Sequence, residues 1–179
     1  IEALERRGLA IARYTIRPSV HGIIADEDRR EAEKTRAIVG APAGALIAAV
    51  AAAFARNPVR AMRALGAALR LGARSDAGLA KHVFYWAEAL IIATWMRRDG
   101  ATRAHAHFGT NSATVAMLAA MIADAPFSMT VHGPEEFDRP GLIGLKEKIE
   151  TAALVFAVSS YGMSQLRRLV APSHWGKIR

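Results

Sequence analysis

After residue 100 the sequence alternates three times between a short apolar segment typical of a β-strand and a segment with helical periodicity. The strand segments read RAHAHF, PFSMTVHG and LVFAVSS, and helices are predicted over 111–123, in LIGLKEKIETA and in YGMSQLRRLV. Apolar strands that alternate with helices are typical of a parallel sheet with helices on both faces. The sequence therefore predicts an α/β fold with a doubly wound parallel sheet.

The first hundred residues have a different organisation. A helix over 1–9 and a strand over 11–16 come first, followed by a charged stretch over 26–37 that is predicted as a helix or a loop. A helical insertion rich in alanine and arginine is predicted over about 41–99. A doubly wound sheet normally has its first strand in the middle. We therefore expect residues 1–179 to form one domain whose first strand precedes residue 1.

The net charge of +8 lies mainly in the middle of the chain. Residues 56–104 carry nine basic and three acidic side chains, a difference of +6. This excess favours an anionic partner, such as a nucleic acid, an anionic lipid or a phosphorylated ligand. The absence of cysteine excludes disulfides and thiolate metal sites. The apolar runs over 41–55 and 83–96 are shorter than the roughly 18 residues of a membrane span, and no signal peptide is evident, so we expect a cytoplasmic protein.

The segment NPVRAMRALGAALRLGAR is predicted to form an amphipathic helix with a basic face. At 100° per residue, four arginines fall within about 80° of arc, opposite an apolar face that contains Met62, Leu65 and Leu69. A solvated face and a contact with anionic lipid headgroups remain equal alternatives, and the second would place the protein peripherally on the inner face of the cytoplasmic membrane. No aromatic residues interleave with the arginines, which argues against nucleic-acid binding. The candidate membrane contacts are Arg60, Arg63, Arg70 and Arg74.

Polar or small residues follow each of the three predicted strands, in HFGTN, HGPEEFD and SSYG. Ligands of open parallel sheets bind beyond the carboxyl ends of the strands, where the N-termini of the next helices also lie. The N–H groups of those termini suit a phosphate or a sugar hydroxyl, although no glycine-rich nucleotide fingerprint is present. The candidate catalytic residue is His132, and the candidate substrate-binding residues are His107, Thr110, Asn111, Gly133, Glu135, Ser159 and Ser160.

Several of these side chains also have structural interpretations. His105 and His107 share one face of a strand at a spacing that zinc could use, but no third ligand is evident, so we expect a structural pair and no metal. Glu136 and Asp138 are expected in a solvated loop. His132, at a strand end and followed by glycine, is more typical of a residue that lines a site.

Three segments, AHFGTNSATVAMLAA, PFSMTVHGPEEFD and AVSSYGMSQLRRL, resemble the N-terminal domain of bacterial family-four glycosyltransferases of exopolysaccharide and cell-surface glycan assembly. The resemblance covers about residues 104–179 and, more loosely, 1–18. It implies a Rossmann-like sheet that forms the N-terminal half of a GT-B fold, the half that holds the acceptor. The C-terminal half would bind the nucleotide-sugar through a glutamate motif that this chain lacks, so the chain alone is expected to be inactive.

The resemblance implies a retaining hexosyltransferase that needs neither a metal nor another cofactor. Its substrates would be a nucleotide-sugar donor and a glycan or lipid-linked acceptor. It places His132 in the cleft, where the imidazole would contact the transferring sugar or the acceptor, with Glu135 nearby to orient hydroxyls. A general-base role is chemically possible, but front-face transfer with retention favours orientation and electrostatic stabilisation. A basic membrane-surface or nucleic-acid-binding module without catalysis is the alternative.

Overall fold

A computed structural model describes residues 1–18 and 25–179. Its five strands are β1 Arg13–Thr15, β2 Thr35–Ala37, β3 Ala104–His107, β4 Phe127–Val131 and β5 Leu154–Ala157. Its α-helices are α1 Glu2–Glu5, α2 Asp26–Lys34, α3 Ala43–Arg56, α4 Pro58–Gly72, α5 Gly78–Arg98, α6 Asn111–Ala123, α7 Pro134–Asp138, α8 Leu145–Thr151 and α9 Ser160–Leu169. A 3-10 helix, Pro172–Lys177, follows α9.

The second half of the chain forms the parallel α/β arrangement that the sequence predicts. Its three strands pair in the order β3-β4-β5, with His107 opposite Thr130 and Val131 opposite Ala157. Every second residue of β4 is buried, beginning at Phe127, because the helices that follow the strands cover that face. The carboxyl ends of all three strands therefore lie side by side at one edge.

The described residues leave the opposite face of this sheet exposed, so the predicted helices on both faces are not confirmed. His105, His107 and Phe156 are exposed there, and Ser128 and Thr130 are half-buried. Parallel sheets with both faces covered are built from near-continuous apolar strands. The histidines and hydroxyl residues of β3 and β4 make this face more polar than the strands of such sheets usually are.

The five strands form two parallel sheets rather than one. β1 and β2 pair with each other, so the charged stretch over 26–37 contains a strand as well as the helix α2, and the prediction missed that strand. The β1 sheet packs beside the C-terminal end of α5, where the Tyr14 hydroxyl donates to Asp99 at 2.7 Å. The described residues thus form an α/β fold with two small parallel sheets.

The predicted helical insertion is confirmed, and α5 lies at its centre against α3, α4 and α6. Ala89 and Ala93 of α5 are completely buried, because small side chains let the neighbouring helices approach closely. Asn57 separates α3 from α4, and its side chain accepts the Arg60 N–H at 3.0 Å as an N-cap. The axes of α3 and α4 differ by 109° at this break.

Candidate functional site

The ends of β3 and β4 bring three aromatic side chains together. The ring centroid of His132 lies 4.4 Å from that of Phe108 and 5.8 Å from that of His107. All three residues are exposed, so the cluster is open to a ligand. The structure thus places two of the predicted site residues, His107 and His132, side by side, and adds Phe108, which the sequence analysis did not identify.

Phe108 has an unusual backbone conformation. Its φ of 66° lies in the left-handed region, which bulky residues rarely adopt. Its side chain is 49% exposed, so little burial compensates for this conformation. Unfavourable backbone conformations of this kind concentrate at ligand-binding and catalytic sites. Nothing in the sequence indicates the positive φ. The one available signal was the position of an aromatic residue directly after a predicted strand.

Glu136 is buried, and the prediction of a solvated loop was wrong for this residue. Its carboxylate accepts backbone N–H groups from His132 at 2.7 Å, from Gly133 at 2.9 Å and from Gly109. The side chain lies in the first turn of α7 and reaches back to the residue that precedes the helix, as in a capping box. Gly133 has a φ of 153°, which L-residues rarely adopt. Glu136 therefore fixes the loops after β3 and β4 in relation to each other.

Lys148 of α8 is completely buried beneath the same loops. Its Nζ donates to the carbonyl oxygens of Gly109 at 2.7 Å and Thr110 at 2.6 Å. Burial lowers the pKa of Lys148 to about 7, and the negative charge of Glu136 opposes that shift. The sequence held a signal for this burial, because position 148 shares the apolar face of α8 with Leu145 and Ile149 at helical spacing.

The remaining predicted residues line the same edge with different roles. Ser159, and not Ser160, caps α9, because its Oγ accepts the Gly162 N–H at 3.0 Å. Thr110 precedes α6, and its side chain makes no capping hydrogen bond there. Asn111 begins α6 and is exposed, as are Ser160 and, in the first turn of α7, Glu135. Asp138 is exposed as expected.

His105, one of the predicted structural pair, makes hydrogen-bonding contacts across the sheet. Its Nδ1 is 2.9 Å from Ser128 Oγ and its Nε2 is 3.1 Å from Thr130 Oγ1, so both ring nitrogens have partners on β4. Burial lowers the pKa of His105, and the neighbouring His107 acts in the same direction. Within residues 1–18 and 25–179, no three histidine or carboxylate side chains are grouped to hold a metal ion.

The structure divides the four arginines of the predicted basic face of α4 into two that form ion pairs and two that form none with the described residues. Arg60 forms an ion pair with Asp124 at 2.6 Å, and Arg74, just beyond the helix, pairs with Glu147 at 3.0 Å. Arg63 and Arg70 are exposed. The predicted apolar face is not buried, because the helix packs through its alanines instead. Those buried alanines are Ala61, Ala64, Ala67 and Ala68.

Comparison with known proteins does not assign the chain: no family model, curated protein or solved structure matches it significantly.

Proposed function

We propose that this chain is the acceptor-side domain of a retaining glycosyltransferase, which moves a sugar from a nucleotide-sugar to a glycan or lipid-linked acceptor. The observation that carries the proposal is the exposed pair of Phe108 and His132 rings, with centroids 4.4 Å apart at neighbouring strand ends. The motif resemblance of residues 104–179 supports the same reaction class. Neither a metal nor another cofactor enters the proposal, and the nucleotide-sugar is a substrate.

The exposed cluster offers a pyranose both kinds of contact that it needs. The face of the Phe108 ring supplies an apolar surface for the C–H groups of the sugar, and the His132 imidazole supplies hydrogen-bonding nitrogens for its hydroxyls. Glu135 lies three residues after His132 and is exposed, so it can accept hydroxyl protons at the same edge. Ser159 and Ser160 lie at the end of the adjacent strand, β5. In this arrangement His132 orients the sugar and stabilises charge that develops during transfer.

The proposal also concerns how the two parallel sheets are related. We infer that the two sheets are halves of one doubly wound sheet, completed by a further parallel strand between β1 and β3. Two observations support this inference: both existing sheets are parallel, and β1 packs at the end of α5 that leads directly into β3. Such a sheet would form the N-terminal half of a GT-B enzyme. An experimental structure of the intact gene product with solvent at the free edges of both strands would contradict it.

The nucleic-acid alternative has less support. Two of the four arginines in the predicted basic patch are in ion pairs, which reduces the positive charge available to a phosphate backbone. The exposed apolar side chains beside the other two, Met62 and Leu69, offer no stacking surface for bases. We therefore expect no nucleic acid among the partners.

Saturation-transfer NMR of the chain with methyl glycosides of glucose, galactose and mannose tests acceptor binding. We expect transfer to the C–H protons of at least one glycoside, and loss of that transfer in Phe108→Gly. Phe84 is also exposed but lies far along the chain on α5, so Phe84→Ala is the control and should leave the signal intact. Equal transfer in wild type and Phe108→Gly, or none to any glycoside, would contradict the proposed site.

A further inference from the structure

Helix α3 is apolar on every side, yet most of it is exposed. Its sequence, AGALIAAVAAAFAR, has Arg56 as its single charged residue. Ala49 and Ala53 are its buried residues, whereas Ile47 is 69% and Phe54 is 38% exposed. A helix that is hydrophobic all round is normally buried in a core or a membrane. A partner that covered α3 would remove this apolar surface from water.

Helix α4, which follows α3 directly after Asn57, also exposes a mixture of apolar and basic side chains. Val59 is 59% and Met62 is 51% exposed, and both line a shallow groove with Pro58 and Arg63. Two turns further on, Leu69 and Arg70 repeat the combination of an exposed apolar residue beside an arginine. The exposed side of α4 is thus neither a purely solvated face nor a purely basic one.

The charged side chains of α3 and α4 themselves all have one sign. The sequence contains no acidic residue between Glu33 and Asp76, and α3 and α4 together carry four arginines. Arg60 is paired with Asp124, which leaves three arginines on the two helices. The partner that fits this surface must therefore be anionic where it meets the arginines and apolar where it meets α3. The three arginines are Arg56, Arg63 and Arg70.

We propose that α3 and α4 form an in-plane membrane anchor that docks into the headgroup region of an anionic bilayer. Ile47 and Phe54 are seven residues apart on one face of α3, so they can enter the acyl boundary together. The three arginines contact lipid phosphates. A helix of 14 residues is about 21 Å long, which is less than the roughly 30 Å of hydrocarbon core. The anchor therefore lies in the interface.

The length and apolar character of the helices are consistent with a position in the interface. No single helix in the described residues has the length and apolar character to cross a bilayer; α3 and α4 meet those criteria only as a pair, and the pair is bent by 109°. The proposed anchor changes the predicted set of membrane contacts. It keeps Arg63 and Arg70, and it adds Arg56 and the exposed apolar side chains. It omits Arg60 and Arg74, because both form ion pairs within the chain.

A second copy of the chain fits this surface less well than a bilayer does. In a two-fold dimer the same patch lies on both sides of the interface. The three arginines of one copy would then face a patch that carries the same three arginines. Neither α3 nor α4 has an acidic side chain to neutralise them. Anionic headgroups remove this repulsion. The membrane anchor is independent of the proposed sugar transfer, although a lipid-linked acceptor would make use of it.

Flotation of the full chain with vesicles tests the proposal. We expect binding to vesicles of phosphatidylcholine mixed with phosphatidylglycerol, and much weaker binding to phosphatidylcholine alone. The double variant Arg63→Glu/Arg70→Glu should lower binding at least about tenfold, because each arginine near the surface adds to the affinity. The control Arg7→Glu/Arg168→Glu makes the same charge change at exposed positions elsewhere and should bind like wild type. Equal binding to both vesicle types, or loss of binding in the control, would overturn the proposal.

Depth-dependent quenching separates insertion from simple electrostatic adsorption. Phe54→Trp should show fluorescence quenching by brominated lipids beyond the background of the native tryptophans. Leu9→Trp, at a residue that is 53% exposed and remote in sequence, should not. Quenching of Phe54→Trp no greater than that of Leu9→Trp would overturn insertion. If the wild-type chain is a dimer in solution and Phe54→Gln converts it to a monomer, α3 is a dimer interface and the membrane anchor is overturned.

Discussion

Oε2 of Glu136 accepts the backbone N–H of His132 at 2.7 Å. The same carboxylate also bonds the N–H groups of Gly133 and Gly109, so one buried side chain connects the ends of two neighbouring strands. His132 is exposed and has no burial to fix it, whereas its backbone is held from below by Glu136. The position of the exposed imidazole therefore depends on a residue that a ligand would not touch.

Replacing Glu136 with glutamine should destabilise the chain by about 1–3 kcal/mol, which is typical of leaving a buried donor unsatisfied. Glutamine offers one acceptor oxygen to three N–H groups, and its amide nitrogen would face a donor. Urea denaturation measures the loss. Glu135→Gln is the matched control, since Glu135 is the exposed neighbour and its replacement should stay within about 0.5 kcal/mol of wild type. Equal stability of the two variants would show that Glu136 does not hold the loops.

Phe108→Gly should be more stable than Phe108→Ala by about 1 kcal/mol. Both variants remove the ring, but only glycine adopts the φ of 66° without steric cost. The comparison therefore isolates the backbone conformation from the lost side-chain contacts. Thermal unfolding of the two variants under the same conditions measures it. If alanine is as stable as glycine at this position, the left-handed conformation of residue 108 is not a source of strain.

The sequence correctly predicted which residues lie at the carboxyl ends of the strands, but it did not predict the buried side chain that holds those strand ends in place. Alternating strands and helices placed His107, His132 and Ser159 at adjacent strand ends, because parallel strands present their carboxyl ends together. It did not identify Glu136 as buried, because local patterning in a loop with three carboxylates does not show which one turns inward. Its long-range contact is with Gly109, which is distant in sequence and becomes a neighbour when β3 and β4 pair.

Ser159→Ala should cost about 1 kcal/mol, and Ser160→Ala should cost much less. The Ser159 hydroxyl accepts the Gly162 N–H, which would otherwise be a free donor at the N-terminus of α9. Ser160 lies inside the helix and is exposed, so it serves as a matched control of the same residue type. Urea denaturation distinguishes the two, and a larger loss in Ser160→Ala would contradict the assignment of the cap.

Lys148 should make the chain more stable as the pH rises above neutral. Burial lowers its pKa from the ordinary 10.5 to about 7 in the folded chain. Between these values the unfolded chain binds the proton and the folded chain does not, so the free energy of unfolding increases with pH. The increase from this group is at most about 1.4 kcal/mol per pH unit.

Lys148→Met should remove that increase. The measurement is urea denaturation of both proteins from about pH 6 to about pH 10, compared as a difference so that other groups cancel. Lys146 of the same helix is exposed, and Lys146→Met is the control for the loss of a positive charge. A constant stability difference between wild type and Lys148→Met across this range would mean that Lys148 keeps its proton when the chain folds.

The packing of α4 shows a second limit of sequence patterning. The 3.6-residue period grouped Met62, Leu65 and Leu69 as the apolar face of the helix, opposite the arginines, because these side chains are hydrophobic. Close approach of α4 to α5 requires small side chains, so Ala61, Ala64 and Ala68 face the core and Met62 is exposed. Hydrophobicity alone could not distinguish a tightly packed alanine face from an apolar face that is left for a partner.

Transfer by the intact gene product tests the central claim most directly. Incubation with UDP- and GDP-sugars and with glycan or lipid-linked acceptors should release nucleoside diphosphate and produce a glycosylated acceptor. We predict that His132→Ala lowers the transfer rate about a hundredfold, because it removes a polar group placed at the reacting sugar, and leaves the unfolding transition intact. A rate within about threefold of wild type, roughly 0.7 kcal/mol of barrier, would remove His132 from the site. No transfer by the wild-type protein from any donor would contradict the assignment as a glycosyltransferase.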